Sequence, residues 1–162
     1  MATEQGSPGL RAFSPGYRDI SQLSPERLER IDAYAEKLRR CDKHQRKAAR
    51  ALEGLRVDGE RVVQEVRINE AGSDEDMAGH DLTLQTKIGT LYGQVKSSDM
   101  SVRTFRTQIG RRLARLGMNI SVNEYLAING MFVLNGKKGI EAIRQSFLTQ
   151  YGPIAEIRGA VA

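Results

Sequence analysis

The stretch from Gly79 to Ser98 constrains this chain more than any other. Polar and apolar residues alternate through Asp81-Leu82-Thr83-Leu84-Gln85 and again through Leu91-Tyr92-Gly93-Gln94-Val95-Lys96, with Ile88-Gly89 between them. Alternation at period two around a central glycine signals two strands joined by a tight hairpin. Leu82, Leu84, Leu91, Gly93 and Val95 share the inward phase. In an antiparallel pair the outer ends meet, so Asp81 lies beside Gln94 and Lys96. Residues 94 and 96 leave one face of the strand, and Val95 points the other way into the core.

A carboxylate, an amide oxygen and an ammonium gathered at one sheet end suit metal-assisted attack on a phosphodiester. Asp81 and the Gln94 oxygen can hold a hard cation such as Mg²⁺, which takes oxygen ligands and keeps several waters. Lys96 can orient the attacking water or offset charge growing on the phosphate. The plainer reading of the same residues is a solvated surface hairpin.

Asp81, a hairpin, then Gln94-Val95-Lys96-Ser97-Ser98 resembles the PD-(D/E)xK nuclease superfamily, the restriction-endonuclease-like fold, whose usual pattern is Asp followed a hairpin later by Glu-x-Lys. Gln94 departs from that pattern, and a neutral amide binds a divalent cation more weakly than a carboxylate. The resemblance implies Mg²⁺ or Mn²⁺ held by Asp81, Gln94 and the Val95 carbonyl, with Lys96 positioning or activating water. It also implies a further carboxylate from the first core helix, where Glu53 is the acidic residue at hand. Glu53 pairing with Arg50 or Arg56 explains that residue about as well. Glu65, on the following strand and opposite the apolar face of Val62, Val66 and Ile68, is its rival.

Composition narrows the class. A chain of 162 residues holds one domain with an extension, and its single cysteine, Cys41, excludes an internal disulfide and a cysteine-based zinc site. His44 and His80 are far apart and lack metal-ligand spacing. No apolar run approaches the roughly 18 residues of a membrane span. The first residues carry neither a basic nor an apolar signal region, so the expected place of action is the cytoplasm. The formal charge of +5 is unevenly spread: basic residues crowd Lys37–Arg56 and Arg103–Arg115, and acidic ones crowd Glu70–Asp76. That segregation fits phosphates gripped around an acidic pocket, although solvated helix faces account for part of it.

Along the chain, residues 1–22 read as a flexible lead rich in glycine and proline. Ser24-Pro25-Glu26 starts a helix with a stripe at Leu28, Ile31, Ala35, Leu38 and Cys41. Residues 23–44 are expected to form a helical extension, and 45–162 the core. Helix through Leu55, a turn at 57–60, a strand over Arg61–Ile68 and a loop over Asn69–His80 lead into the hairpin. Ser97-Ser98-Asp99 then caps a helix from about Ser101 to Leu116, with an apolar stripe at Val102, Phe105, Ile109, Leu113 and Leu116. Arg103, Arg106, Arg111, Arg112 and Arg115 make that helix a candidate grip for a phosphate backbone. The superfamily that the chain resembles sometimes uses a polar residue of this helix at the site, which makes Gln108 a candidate. Met131–Leu134 reads as a buried strand, and a helix from Lys138 to about Tyr151 ends at Gly152-Pro153.

The expected class is α/β: a restriction-endonuclease-like αβββαβ core with a mixed central sheet and an N-terminal helical extension. The function the resemblance implies is metal-dependent hydrolysis of nucleic acid, DNA or RNA. A small basic chain of this kind also resembles bacterial toxin effector domains, whose partner is an immunity protein. The alternatives are an inactive nucleic-acid-binding or protein-interaction module of the same fold, and an assembly protein whose basic helices pack on an acidic partner.

Overall fold

The computed structural model describes residues 24–70, 73 and 80–161. The lead of residues 1–22, most of the acidic loop and the side chain of Leu38 lie outside the described residues. The chain begins with helix α1 (Pro25–Leu52), capped by the Ser24 hydroxyl, which accepts from the Arg27 amide. No glycine or proline interrupts residues 26–53, and α1 runs unbroken through Asp42-Lys43-His44, from the expected extension into the expected core. It stops at Leu52, with Glu53 as its C-cap, three residues short of the expected end.

A small hairpin follows, β1 (Arg56–Val57) and β2 (Glu60–Arg61), and then the main sheet of β3 (Val63–Ile68), β4 (Leu82–Thr86), β5 (Gly89–Lys96) and β6 (Met131–Asn135). The sheet order is β3-β4-β5-β6, antiparallel between the first three strands and parallel between β5 and β6. The chain is therefore a mixed α/β protein with a four-stranded mixed sheet. Between β5 and β6 it forms α2 (Asp99–Arg115) and the short α3 (Val122–Ile128), and it ends in α4 (Ile140–Val161).

The sheet's inner face is Leu82 and Leu84 of β4, Leu91 of β5, and Phe132 and Leu134 of β6, all fully buried. Ala48, Ala51 and Leu52 of α1 and Ile143, Phe147 and Ile154 of α4 complete that core. Gly93 belongs to it by absence: a Cβ there would come within 2.5 Å of the Phe132 ring. A register shift between Val63 and Glu65 puts an extra residue into β3, so Val63 shares the inward phase with Val66 and Ile68. Val62, expected inside the strand, is buried just before it.

Two ends differ from the sequence reading. Helix α4 continues through Pro153, because Ile154 beyond it is buried and Ile157 packs on the core, burial that outweighs the roughly 3 kcal/mol proline costs inside a helix. Leu116 follows the last turn of α2 and is 64% exposed rather than part of the apolar stripe. Among the described residues no helix is long and apolar enough to cross a membrane.

Candidate functional site

The hairpin pairs Leu82 with Gly93 and Leu84 with Leu91, which places Asp81 opposite Gln94 just beyond the end of the β4 ladder. The Asp81 amide donates to the Gly93 carbonyl at 2.8 Å, and there the backbone turns away. Its buried side chain takes over: Asp81 Oδ2 accepts from the Val95 amide at 2.8 Å and from Gln94 Nε2 at 3.0 Å. A carboxylate thus stands where a strand carbonyl would have been. In a strand, a residue's N–H and C=O share one edge, so the Val95 carbonyl also leaves β5 on the Asp81 side.

Asn69, at the end of β3, supports this corner from the other side. Its amide nitrogen donates to the Asp81 carbonyl at 2.9 Å, its side chain donates to the His80 carbonyl at 2.8 Å, and its Oδ1 accepts from the Thr83 hydroxyl at 3.0 Å. His80 stacks on Tyr92, with ring centroids 4.5 Å apart. These contacts fix the chain on both flanks of Asp81.

Lys96 leaves the same face as Gln94, and its ammonium sits 5.0 Å from the centre of the Phe105 ring. That cation–π contact ties the head group to α2 and orients it. Asp81, Gln94, Val95 and Lys96 all line one cleft of about 510 Å³, closed on one side by α1 and on the other by α2. The α2 wall is Ser101, Thr104, Phe105 and Gln108, a run at three- and four-residue spacing. Ser98 caps this helix, accepting from the Ser101 amide at 3.0 Å, so α2 starts directly off the end of β5.

The α1 wall consists of Cys41, His44 and Gln45. Neither proposed extra carboxylate reaches this place. Glu53 is exposed at the C-cap of α1, eight residues beyond Gln45, which at about 1.5 Å per residue is some 12 Å along the helix. Glu65 pairs with Gln85, four residues along β4 from Asp81, and is exposed. The helix does reach the site, but it brings imidazole and amide where a carboxylate was expected. The continuity of the stripe Cys41, His44, Gln45, Ala48 is the signal that points there.

The arginines divide. Arg111, Arg112 and Arg115 are exposed and follow Gln108 by three, four and seven residues, so helical geometry carries them along the face that lines the cleft. Arg103 and Arg106 fall off that face, and Arg106 donates to the Asn123 side chain.

The electrostatics of the α1 wall are distinctive. Burial lowers the His44 pKa from its ordinary value, helped by the positive charges of Lys47, Lys43 and Lys137. His44 Nδ1 is buried without a hydrogen-bond partner. At the start of α2, outside the cleft lining, Asp99 is held below the usual carboxylate range by hydrogen bonds from Asn135 and Lys138.

The donors around Asp81 suit a hard ion, since carboxylate, amide oxygen and backbone carbonyl are all oxygen ligands. The set is thin in charge, with one carboxylate, and its Oδ2 already takes two N–H bonds. Among the described residues no group of three or more His, Cys, Asp or Glu side chains is arranged to hold a metal ion. No family model, curated protein or solved structure matches this chain, so the geometry of the site carries the functional reading.

Proposed function

We propose that the protein is a metal-dependent nuclease with a restriction-endonuclease-like core, hydrolysing phosphodiester bonds in nucleic acid. One observation carries the reading: Asp81, Gln94, Val95 and Lys96 meet in a single cleft at the adjoining ends of two antiparallel strands. Apart from the small β1–β2 hairpin, the element order from α1 to β6, a helix, the antiparallel strands β3, β4 and β5, two helices and β6 parallel to β5, accords with the αβββαβ pattern.

Asp81, the Gln94 oxygen and the Val95 carbonyl would hold Mg²⁺ or Mn²⁺, which when bound lowers the pKa of a water and draws charge from the phosphate. The residues do the rest. Lys96, steadied against Phe105, meets the negative charge that develops on the phosphoryl oxygens. Water adds to phosphorus, the P–O bond to one sugar breaks, and the water's proton ends on the departing oxygen, leaving a phosphomonoester and a hydroxyl. Arg111, Arg112 and Arg115 hold the flanking backbone, and phosphate contacts of this kind position the substrate without reading its sequence.

A second reading, a binding module of the same fold without catalysis, is favoured by the Gln94–Asp81 hydrogen bond, which satisfies the carboxylate without any ion. Incubation with supercoiled plasmid and with tRNA, each with and without Mg²⁺, separates the two. Cleavage that needs Mg²⁺, stops with EDTA and falls at least 100-fold in Lys96→Ala at unchanged melting temperature is expected. Salt-sensitive binding without cleavage supports the binding module, and neither activity overturns both readings.

A further inference from the structure

Behind the cleft lies a second chamber of about 660 Å³ that shares Cys41, His44 and Ser97 with it, so the two are continuous around His44. Lys43 and Lys137 line this chamber, and Lys47 lies one helical turn from Lys43. Among the described residues none of these three lysines forms an ion pair, whereas the neighbouring Lys138 is matched by Asp99 at 3.3 Å and Arg46 by Asp42 at 3.0 Å.

The backbone that carries the lysines is fixed at the turn after β6, and the Lys47 head group with it. Gly136 lets the turn after β6 press on α1, since a Cβ there would come within 2.7 Å of His44 Cβ and 2.9 Å of its carbonyl oxygen. The Lys137 amide donates to Asn135 Oδ1 at 3.0 Å, and the Lys137 carbonyl accepts from Lys47 Nζ at 3.2 Å. Positive charge from two separate elements is thereby concentrated against one imidazole, and it adds to burial, the larger cause, in disfavouring a proton on His44. Glu36 is the acidic group on the chamber wall, two turns up the helix from Lys43. The lysines at the other end of the chamber outnumber it, like charges repel one another, and an anion relieves that cost.

We propose that the chamber bounded by Lys43, His44 and Lys137 is a second phosphate subsite, taking a backbone phosphate of the strand whose scissile phosphate lies at Asp81 and Lys96. The inference rests on the nuclease reading for its ligand. It sets the path of the strand: from the α1 lysines, past Lys96, and out along Arg112 and Arg115 of α2. The substrate is gripped on both sides of the reacting phosphate by different helices.

The test separates binding from cleavage. A fluorescent 12-nucleotide single strand is titrated with the protein in EDTA at several salt concentrations, and Mg²⁺-dependent plasmid cleavage is measured apart. Lys43→Ala/Lys137→Ala is expected to bind about tenfold more weakly, with the log–log salt slope smaller by about 0.7 for the one phosphate given up. Lys43→Arg/Lys137→Arg, which keeps the charge, is expected to retain wild-type binding. Wild-type affinity and slope in the alanine double variant would overturn the subsite, and leave the nuclease reading standing if the wild type cleaves. Lysine-dependent binding without cleavage supports the subsite and removes the nuclease. A wild type that binds no strand overturns both.

Discussion

The Gln94 side chain donates to Asp81 Oδ2 at 3.0 Å, within the same strand-end corner where the Val95 amide donates to that oxygen at 2.8 Å. Where the family pattern has a second carboxylate, this chain therefore has a neutral donor that stabilises the first. Two N–H donors satisfy this oxygen with no ion present.

Gln94→Glu tests what that exchange does. The substitution removes a hydrogen bond to a charged group and sets a second negative charge beside Asp81, at an expected cost of about 1.5–3 kcal/mol without divalent cation. A cation that binds only the folded state returns stability as its concentration rises. Urea melts in EDTA and in Mg²⁺ should show the variant below wild type in the first and gaining more than wild type in the second. Equal gains in both proteins would argue against Asp81 and residue 94 sharing an ion.

Gly136→Ala addresses the contact between the β6 turn and α1. The added methyl meets His44 Cβ and Val95 Cγ1 at 2.7 Å each, and the backbone oxygen of His44 at 2.9 Å, none of them a flexible side-chain tip. Overpacking of this kind costs about 1–3 kcal/mol. Helix α1 should shift from β5, so both the melting temperature and plasmid cleavage are expected to fall. A variant with wild-type stability would show that the turn is loosely held.

His44 makes stability depend on pH in a stated direction. Burial first, then Lys47, Lys43 and Lys137, lower its folded pKa below 6.5. The unfolded chain therefore takes up the proton first, and the stability present above pH 6.5 is lost as pH falls toward the folded value. Between pH 7 and pH 5 the melting temperature of the wild type should drop more steeply than that of His44→Gln, compared over the same buffers. Parallel curves would place the acid sensitivity elsewhere.

Pro153 sits inside α4, where it removes a helical hydrogen bond yet is retained with Ile154 buried beyond it. Pro153→Ala restores the bond at an exposed position, and is expected to raise stability by about 1–3 kcal/mol without altering cleavage. Thermal melts read the first outcome and plasmid assays the second. A destabilised variant would mean that the proline's fixed backbone angle sets the course of the last turns.

Period-two alternation is a local property, and it alone determined the hairpin, the inward phase of Leu82, Leu84 and Leu91, and the placing of Asp81 opposite Gln94 with Lys96 on the same face. The helix starts at Ser24 and Ser98 were legible for a similar reason, since a cap needs only a hydroxyl and the next turn. Tertiary packing decided the rest. Whether α4 survived Pro153 and whether β3 carried an extra residue depended on apolar surface supplied by distant parts of the chain. Packing also chose which helical residues meet the strand ends: α1 brings His44 and Gln45 to the cleft, and Glu53 lies two turns further on.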